Sequence, residues 1–184
     1  MADGQAVRDL TKNKVQLRAI EISDLPFLYR WENDASVWTD SDTHNPLSHN
    51  LLREYVENTT GDLYKDGQLR LVIDAGNEDE PHIVGCADLF DLDVRSGKAA
   101  IGLYIAPQER GKGYSRQAMQ KLVSYAFGFL GLRQIYAIIT TDNRPCLSLF
   151  RSLGFSESAV LHEWVRTAEG NYVDAVVMQY LNRL

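Results

Sequence analysis

Apolar and polar residues alternate through Val15-Gln-Leu-Arg-Ala-Ile20, the period-two signature of a half-buried strand. The period changes in the stretch Ser23 to Glu32. Ser23 or Asp24 is placed to cap a helix there, and Pro26 is tolerated in its first turn. Residues 39–48 are polar and turn-rich and predict a loop. Residues 47–58 restart a helix with Leu51, Leu52, Tyr55 and Val56 along one side. Three strand patterns follow at 68–75, 82–92 and 98–106, separated by Gly76-Asn-Glu-Asp-Glu-Pro81 and by Val94-Arg-Ser-Gly97. Connections this short predict antiparallel neighbours.

The second half of the chain follows another rhythm. Residues 114–130 place Ala118, Leu122, Ala126 and Leu130 at i, i+4 spacing, with Met119, Val123 and Phe127 beside them, which predicts a core-facing helix stopped by Gly131. Residues 133–141 read as a buried strand and 144–154 as a short helix. Residues 155–165 and 172–181 close as a hairpin around Ala168-Glu-Gly-Asn171. A strand-helix-strand unit of this kind is expected to be right-handed with parallel strands. The fold class is therefore α/β with a mixed sheet, in one domain over 15–184 behind a frayed tail at 1–14.

Composition narrows the function classes. The chain has 184 residues and 45% hydrophobic side chains, enough for one domain with a real core. No stretch approaches the roughly 20 apolar residues that span a bilayer, so no membrane association is expected. Residues 1–14 lack the apolar core of a secretory signal. Cys86 and Cys146 have no metal-type spacing and are expected as buried or half-buried thiols in a reducing compartment, the cytoplasm. His44, His49, His82 and His162 are scattered singly, and no metal is expected. The net charge of −6 disfavours nucleic acid, which needs a basic face. For the same reason Trp31, Trp38 and Trp164 are expected in the core or a cleft wall rather than as base-stacking platforms.

The chemistry concentrates in Ile105-Ala-Pro-Gln-Glu-Arg-Gly-Lys-Gly-Tyr-Ser115, between a strand and the long helix. Gly111 and Gly113 let the backbone bend and approach a ligand closely. Successive N–H groups from Arg110 to Ser115 are placed to form an anion-binding nest, the helix start adds its positive end, and Arg110 and Lys112 add charge. These features suit a pyrophosphate. The segment lacks both the three-glycine dinucleotide fingerprint and the ending of a P-loop.

Gln108-x-x-Gly111-x-Gly113 resembles the Q/R-x-x-G-x-G/A signature of the GNAT superfamily of acyl-CoA-dependent N-acetyltransferases. The run Asn143-Arg-Pro-Cys-Leu-Ser-Leu-Phe150-Arg-Ser-Leu-Gly154-Phe155 is similar to that superfamily's second signature. The opening segment, the strand Gly85-Cys-Ala-Asp-Leu-Phe-Asp-Leu-Asp93 and the ending from His162 to Met178 resemble the branch of spermidine N-acetyltransferases and RimJ/RimL-type enzymes. The resemblance implies a GNAT fold: a mostly antiparallel mixed sheet, a splayed parallel central strand pair and flanking helices. It implies acetyl-CoA as cosubstrate, a small polyamine-like amine as acceptor, and a homo-oligomer, dimer or larger.

The resemblance also implies roles for single residues. Backbone of Leu103, Tyr104 and Ile105 is expected to pair with the pantetheine arm, and Arg110, Gly111, Lys112, Gly113, Tyr114 and Ser115 to hold the pyrophosphate. Asn143 is expected either at the CoA arm or as the cap of the short helix, and Phe150 is expected to line the CoA site. Asp88 is the preferred base and amine ligand, with Asp91 beside it, on the opposite face unless a bulge intervenes. Glu32 and Asp34 are further candidates for binding a cationic amine. Relatives often carry an acid where Ala100 stands and a tyrosine, usually read as the general acid, where Phe150 stands; Tyr104 or Tyr114 is the substitute this chain offers. Two alternatives stay open. One is a RimJ/RimL-type enzyme acting on a protein N-terminus or lysine, and the other a CoA-binding module with degraded catalysis.

Overall fold

A computed structural model describes residues 15–35, 38, 45–77 and 79–183. The expected tail at 1–14, and residues 39–44 of the expected loop, lie outside the described residues. The elements of the first half are β1 (Gln16–Ala19), α1 (Leu25–Glu32), α2 (His49–Asn58), α3 (Leu63–Asp66), β2 (Leu69–Asp74), β3 (Ile83–Asp93) and β4 (Lys98–Ile105). They are followed by α4 (Tyr114–Gly128), β5 (Gln134–Thr140), α5 (Arg144–Ser152), β6 (Ser156–Arg166) and β7 (Tyr172–Leu181). These elements form two units. Of the described residues, one holds those within 15–20, 59–135 and 181–183, and the other holds those within 21–58 and 136–180.

In the first unit β1, β2, β3 and β4 follow in order, each antiparallel to the next. Register separates the two faces. Leu17, Ile73, Gly85 and Ile105 make one cross-strand row, and Leu71, Ala87 and Leu103 make another on the same side. The opposite side carries Val72, Cys86 and Tyr104 in one row and Arg70, Asp88 and Gly102 in the next. Helix α4 packs against β1, β3 and β4, with Ala118, Met119, Leu122 and Ala126 buried. Its predicted inner stripe is correct to that point. The helix stops at Gly128, however, and Leu130 lies beyond it. Gly131 takes a left-handed φ of 64°, and the Leu132 N–H returns to the Ala126 carbonyl across it. The single turn α3 has no counterpart among the sequence expectations. Asp62 caps it by accepting the Tyr64 N–H at 2.9 Å.

In the second unit α1 packs on α2, burying Leu28 and Trp31 of one and Leu52 and Val56 of the other. Leu51 does not join them and is 51% exposed. One residue before Leu52 is a 100° step round the helix, which takes Leu51 off the stripe. Asp24 stands before α1 but does not cap it with its side chain. Its carboxylate turns back to accept the Glu21 N–H at 2.8 Å, closing the short 3-10 turn Ile22–Asp24 instead. The strand order is β5, β7, β6, with β6 and β7 joined as the expected antiparallel hairpin. Strand β5 buries Ile135, Ala137 and Ile139 but exposes Ile138, so it is covered on one face rather than two. Trp31 is buried as expected, whereas Trp164 on β6 is 56% exposed.

Asp74 fixes the turn between β2 and β3. One of its buried carboxylate oxygens accepts N–H bonds from Gly76 and His82, both at 2.9 Å, and the other lies 3.6 Å from Arg18 Nε. Asp74→Ala leaves two backbone donors without that acceptor and should lower stability by about 2 kcal/mol. Asp74→Asn keeps an amide oxygen for both donors and should lose less than half as much. Urea denaturation of the three proteins checks the order; equal losses would show that the ion pair with Arg18, not the turn, carries the effect.

Candidate active site

Strand β4 leaves the sheet at Ile105 through a 3-10 turn, Pro107–Glu109, and enters α4 at Tyr114. The Glu109 N–H bonds to the Ala106 carbonyl at 2.8 Å and the Arg110 N–H to the Pro107 carbonyl at 3.3 Å. Arg110 therefore spends its N–H inside the turn, and the run of N–H groups expected from Arg110 onward begins at Gly111. Gly111 and Gly113 have φ of 77° and 82°, and nothing lies within 4 Å of where a Cβ would stand on either. The glycines answer a conformational need, not a lack of space. Gly113 is the N-cap residue of α4 and offers no capping side chain. The first N–H groups of a helix have no acceptor within it, so this end of a 15-residue helix presents donors and the positive end of its dipole together.

The two cations of the loop are not simply aimed outward. Lys112 Nζ lies 3.0 Å from Glu109 Oε2, and Arg110 Nε donates to the Ile105 carbonyl at 3.1 Å. Glu109 is buried and also meets His82, whose Nε2 is 3.2 Å from Oε1. The hydrogen bond from Lys112 holds the Glu109 carboxyl below the usual carboxylate range; burial opposes this, and the His82 contact adds to it. Neither Glu109 nor His82 was expected here from the sequence. The signal was present in the i, i+3 spacing of Glu109 and Lys112.

Asp88 and Tyr104 share one face on adjacent strands, Asp88 opposite Gly102 and Tyr104 opposite Cys86. Asp88 is buried and Tyr104 half-buried. Arg70 Nε donates to Asp88 Oδ1 at 2.7 Å, so the preferred base is one half of an ion pair. Oδ2 lies toward Gly102, 3.9 Å from where a Cβ would stand there. Arg70 is a residue the sequence reading missed, although an arginine within Leu69-Arg-Leu-Val-Ile73, directly across from Asp88, marks it once the register is known. Asp91 is exposed with φ 50°, at a break in register between Phe90 and Asp93. The bulge left open in the sequence is thus present. Ala100 is buried opposite Phe90.

The other candidates lie in the second unit. Glu32 ends α1 and Asp34 follows it, both half-buried; the Glu32 carbonyl accepts the Trp38 indole N–H at 2.9 Å. Between them Asn33 exchanges hydrogen bonds with the backbone of Leu47 at 2.8 and 3.0 Å, clasping the two sides of the chain that flank 39–44. Asn143 caps α5, its Oδ1 accepting the Cys146 N–H at 3.2 Å, so the capping role is realised. Phe150 is 2% exposed and packs edge-on against Phe155 with ring centres 4.8 Å apart. On the hairpin, the Asp174 carboxylate takes the Glu163 N–H at 2.8 Å and meets His162 Nδ1 at 3.0 Å, holding Glu163 at φ 51°. Among the described residues there is no cluster of three or more His, Cys, Asp or Glu suited to a metal, and no helix is long and apolar enough to cross a membrane.

The pattern of the acetyltransferase (GNAT) domain family matches residues 14–156. An uncharacterized N-acetyltransferase, p20, of Bacillus licheniformis is 27% identical over 175 residues, covering 95% of this chain and 96% of the relative. The spermidine N(1)-acetyltransferase of Vibrio cholerae is 25% identical over 179 residues, covering 93% and 98%. Among solved structures, the Vibrio cholerae spermidine N-acetyltransferase in complex with CoA and spermine is similar in fold. Its TM-score is 0.80 at 24% identity, over 92% of this chain and 96% of that one.

The depressed Glu109 value has a pH consequence. A carboxyl whose folded value is lowered adds stability above its unfolded value and loses it as pH falls through the folded one. The stability gap between the wild type and Glu109→Gln should be full near neutral pH and close below about pH 4. Thermal melts across pH test this; a gap that stays constant on acidification would show that the Glu109 charge carries none of the stability.

Proposed function

The chain belongs to the GNAT acetyltransferase family, and on that premise we propose that the acceptor of this acetyl-CoA-dependent N-acetyltransferase is a small polyamine-like primary amine. The observation that carries the reading is the uncapped start of α4 behind two left-handed glycines, a cradle of backbone donors suited to the CoA diphosphate. The acceptor class is supported by the relatives named as spermidine acetyltransferases and by the acids Asp88, Glu32 and Asp34. Backbone of Leu103, Tyr104 and Ile105 is assigned the pantetheine arm. Asn143 Oδ1 is committed to its cap, which leaves that residue the two donors of its amide nitrogen.

The reaction is a substitution at the thioester carbon. The neutral amine nitrogen attacks, the C–N bond forms as the C–S bond breaks, the thiolate of CoA leaves, and the acylated nitrogen gives up one proton, which balances the proton that converts the thiolate to the thiol. An alkylamine with a pKa of about 10 is protonated at neutral pH, so a proton must go first to a base or a water chain. Asp88 Oδ2, the oxygen beside the one that takes the Arg70 Nε bond, is the acceptor this reading assigns. Tyr104, on the same face one strand over, is the hydroxyl assigned to the leaving sulfur. A thiol with a pKa of about 8.5 leaves tolerably as thiolate, so the acid is an aid rather than a condition.

Thiol release from acetyl-CoA across spermidine, spermine, aminoglycosides, free amino acids and N-terminal peptides tests the acceptor. Spermidine or spermine should give the highest kcat/KM. A peptide as best substrate would establish the RimJ/RimL-type alternative. Silence across the panel, with CoA still bound by calorimetry, would favour a CoA-binding module with degraded catalysis.

Phe150 favours that last reading, because it cannot donate a proton where relatives place a tyrosine. Phe150→Tyr should raise kcat on the best amine by at least about tenfold if the para position faces the reacting sulfur. If that position faces the core, a buried unpartnered hydroxyl should instead lower stability by about 1–3 kcal/mol with no gain in rate. Steady-state rates and melts of the same preparation separate the two.

A further inference from the structure

Glu109 is a buried acid at the edge of a loop suited to an anion. Such a charge repels the ligand, so its presence calls for a job that outweighs the repulsion. Its two oxygens are held from two sides. Oε2 takes Lys112 Nζ at 3.0 Å and Oε1 meets His82 Nε2 at 3.2 Å. Lys112 is the residue between Gly111 and Gly113, the two most permissive points of the loop. The carboxylate thus ties the middle of that turn to the 3-10 turn before it. His82 ties the carboxylate in turn to the sheet, because its backbone N–H is fixed by Asp74 at 2.9 Å. The His82 ring also stands edge-on to Tyr114, the first residue of α4, with ring centres 6.3 Å apart.

We propose that Glu109 is a positioning residue for acetyl-CoA, a buried carboxylate that gathers Lys112 and His82 so that the N–H groups of Gly111 to Ser115 stay aimed at the diphosphate. The proposal rests on the loop being the diphosphate cradle. Two glycines in sequence give a loop many conformations, and ordering it only when the ligand arrives would cost affinity. The Glu109 bridge orders it beforehand. The same bridge neutralises Lys112, so recognition falls to backbone donors, and the lysine acts as a strut.

The test compares acetyl-CoA with S-acetylpantetheine, which carries the same thioester but ends before the diphosphate. Steady-state constants are measured for the wild type, Glu109→Ala and Glu109→Gln, with a melt of each. Glu109→Ala should lower kcat/KM for acetyl-CoA about tenfold through KM, the size of one charge-assisted hydrogen bond. It should leave S-acetylpantetheine and the amine KM within about twofold. Glu109→Gln, whose amide oxygen still accepts from Lys112, should recover most of the loss. His82→Ala, which removes the other arm of the bridge, should show a smaller loss with the same selectivity. An unchanged or tighter acetyl-CoA KM in Glu109→Ala would overturn the proposal, leaving Glu109 as a repulsive neighbour. Equal losses on both thioesters would overturn it too, because the residue would then be merely structural. A wild type that does not prefer acetyl-CoA over S-acetylpantetheine would remove the cradle reading itself and the proposal with it.

Discussion

A helix that begins without a capping side chain leaves its first N–H groups without acceptors, and α4, with its 15 residues, begins this way. The rest of the first unit is arranged around that constraint. Helix α4 can present its end only if its body is fixed, and Ala118, Met119, Leu122 and Ala126 fix it against the sheet. The chain can reach that start from β4 only through two left-handed residues, which is why glycine stands at 111 and 113. A chain of polar contacts runs back from the loop through Glu109 and His82 to Asp74, at the end of β2. Loop geometry and strand pairing are therefore parts of one network, and damage at the β2–β3 turn has a path to the loop.

Electrostatics in this network is mostly compensated within the chain. Lys112 is paired with Glu109, Arg70 with Asp88, and Arg18 with Asp74. Each pair places one member in a buried position, where an uncompensated charge would be costly. The chain keeps three such acids on or beside this sheet, each paired with a cation, while carrying a net charge of −6. What remains uncompensated at the loop is the directional part, backbone donors whose positions are set by φ and by helix geometry. Such donors do not titrate, and they need no rotamer to be frozen when the ligand binds.

The sequence was most legible where one residue type has one physical use. Positive φ, a strand-to-helix junction and two glycines point to a single geometry, and α4 shows the buried stripe that its spacing predicted. The four strands of the first unit followed from alternation and short connections. Legibility failed where a partner lies far along the chain. Arg70 and Asp88 are 18 residues apart and meet only because β2 and β3 pair in one register. Asn33 and Leu47 are 14 apart and meet through a side chain that imitates backbone. It also failed in phase: periodicity marks a stripe on α2 but leaves open which of Leu51 and Leu52 faces inward. The exposure of Trp164 had no local signal, since Asp174, far along the hairpin, holds the irregularity beside it.

Motif residues in this chain serve folding as well as chemistry, and that limits what a motif match alone can mean. Asn143 satisfies the second signature and is at the same time the N-cap of α5. Phe150 and Phe155 satisfy it and are also two rings of one aromatic cluster, which continues to Tyr180 with ring centres 5.2 Å apart. Gly154, with φ 99°, has Tyr180 Cζ 3.4 Å from where its Cβ would stand. A chain that lost catalysis would still keep these residues, because cap, core and turn require them. Phe150 is where the two demands part. Packing accepts phenylalanine or tyrosine provided a hydroxyl has somewhere to go, whereas proton donation accepts only tyrosine. The first signature differs in this respect. Gly113 takes a left-handed φ of 82°, where a capping side chain would be strained, so the chain starts α4 uncapped. There the turn is served at the expense of the cap, whereas at Asn143 the motif residue is itself the cap.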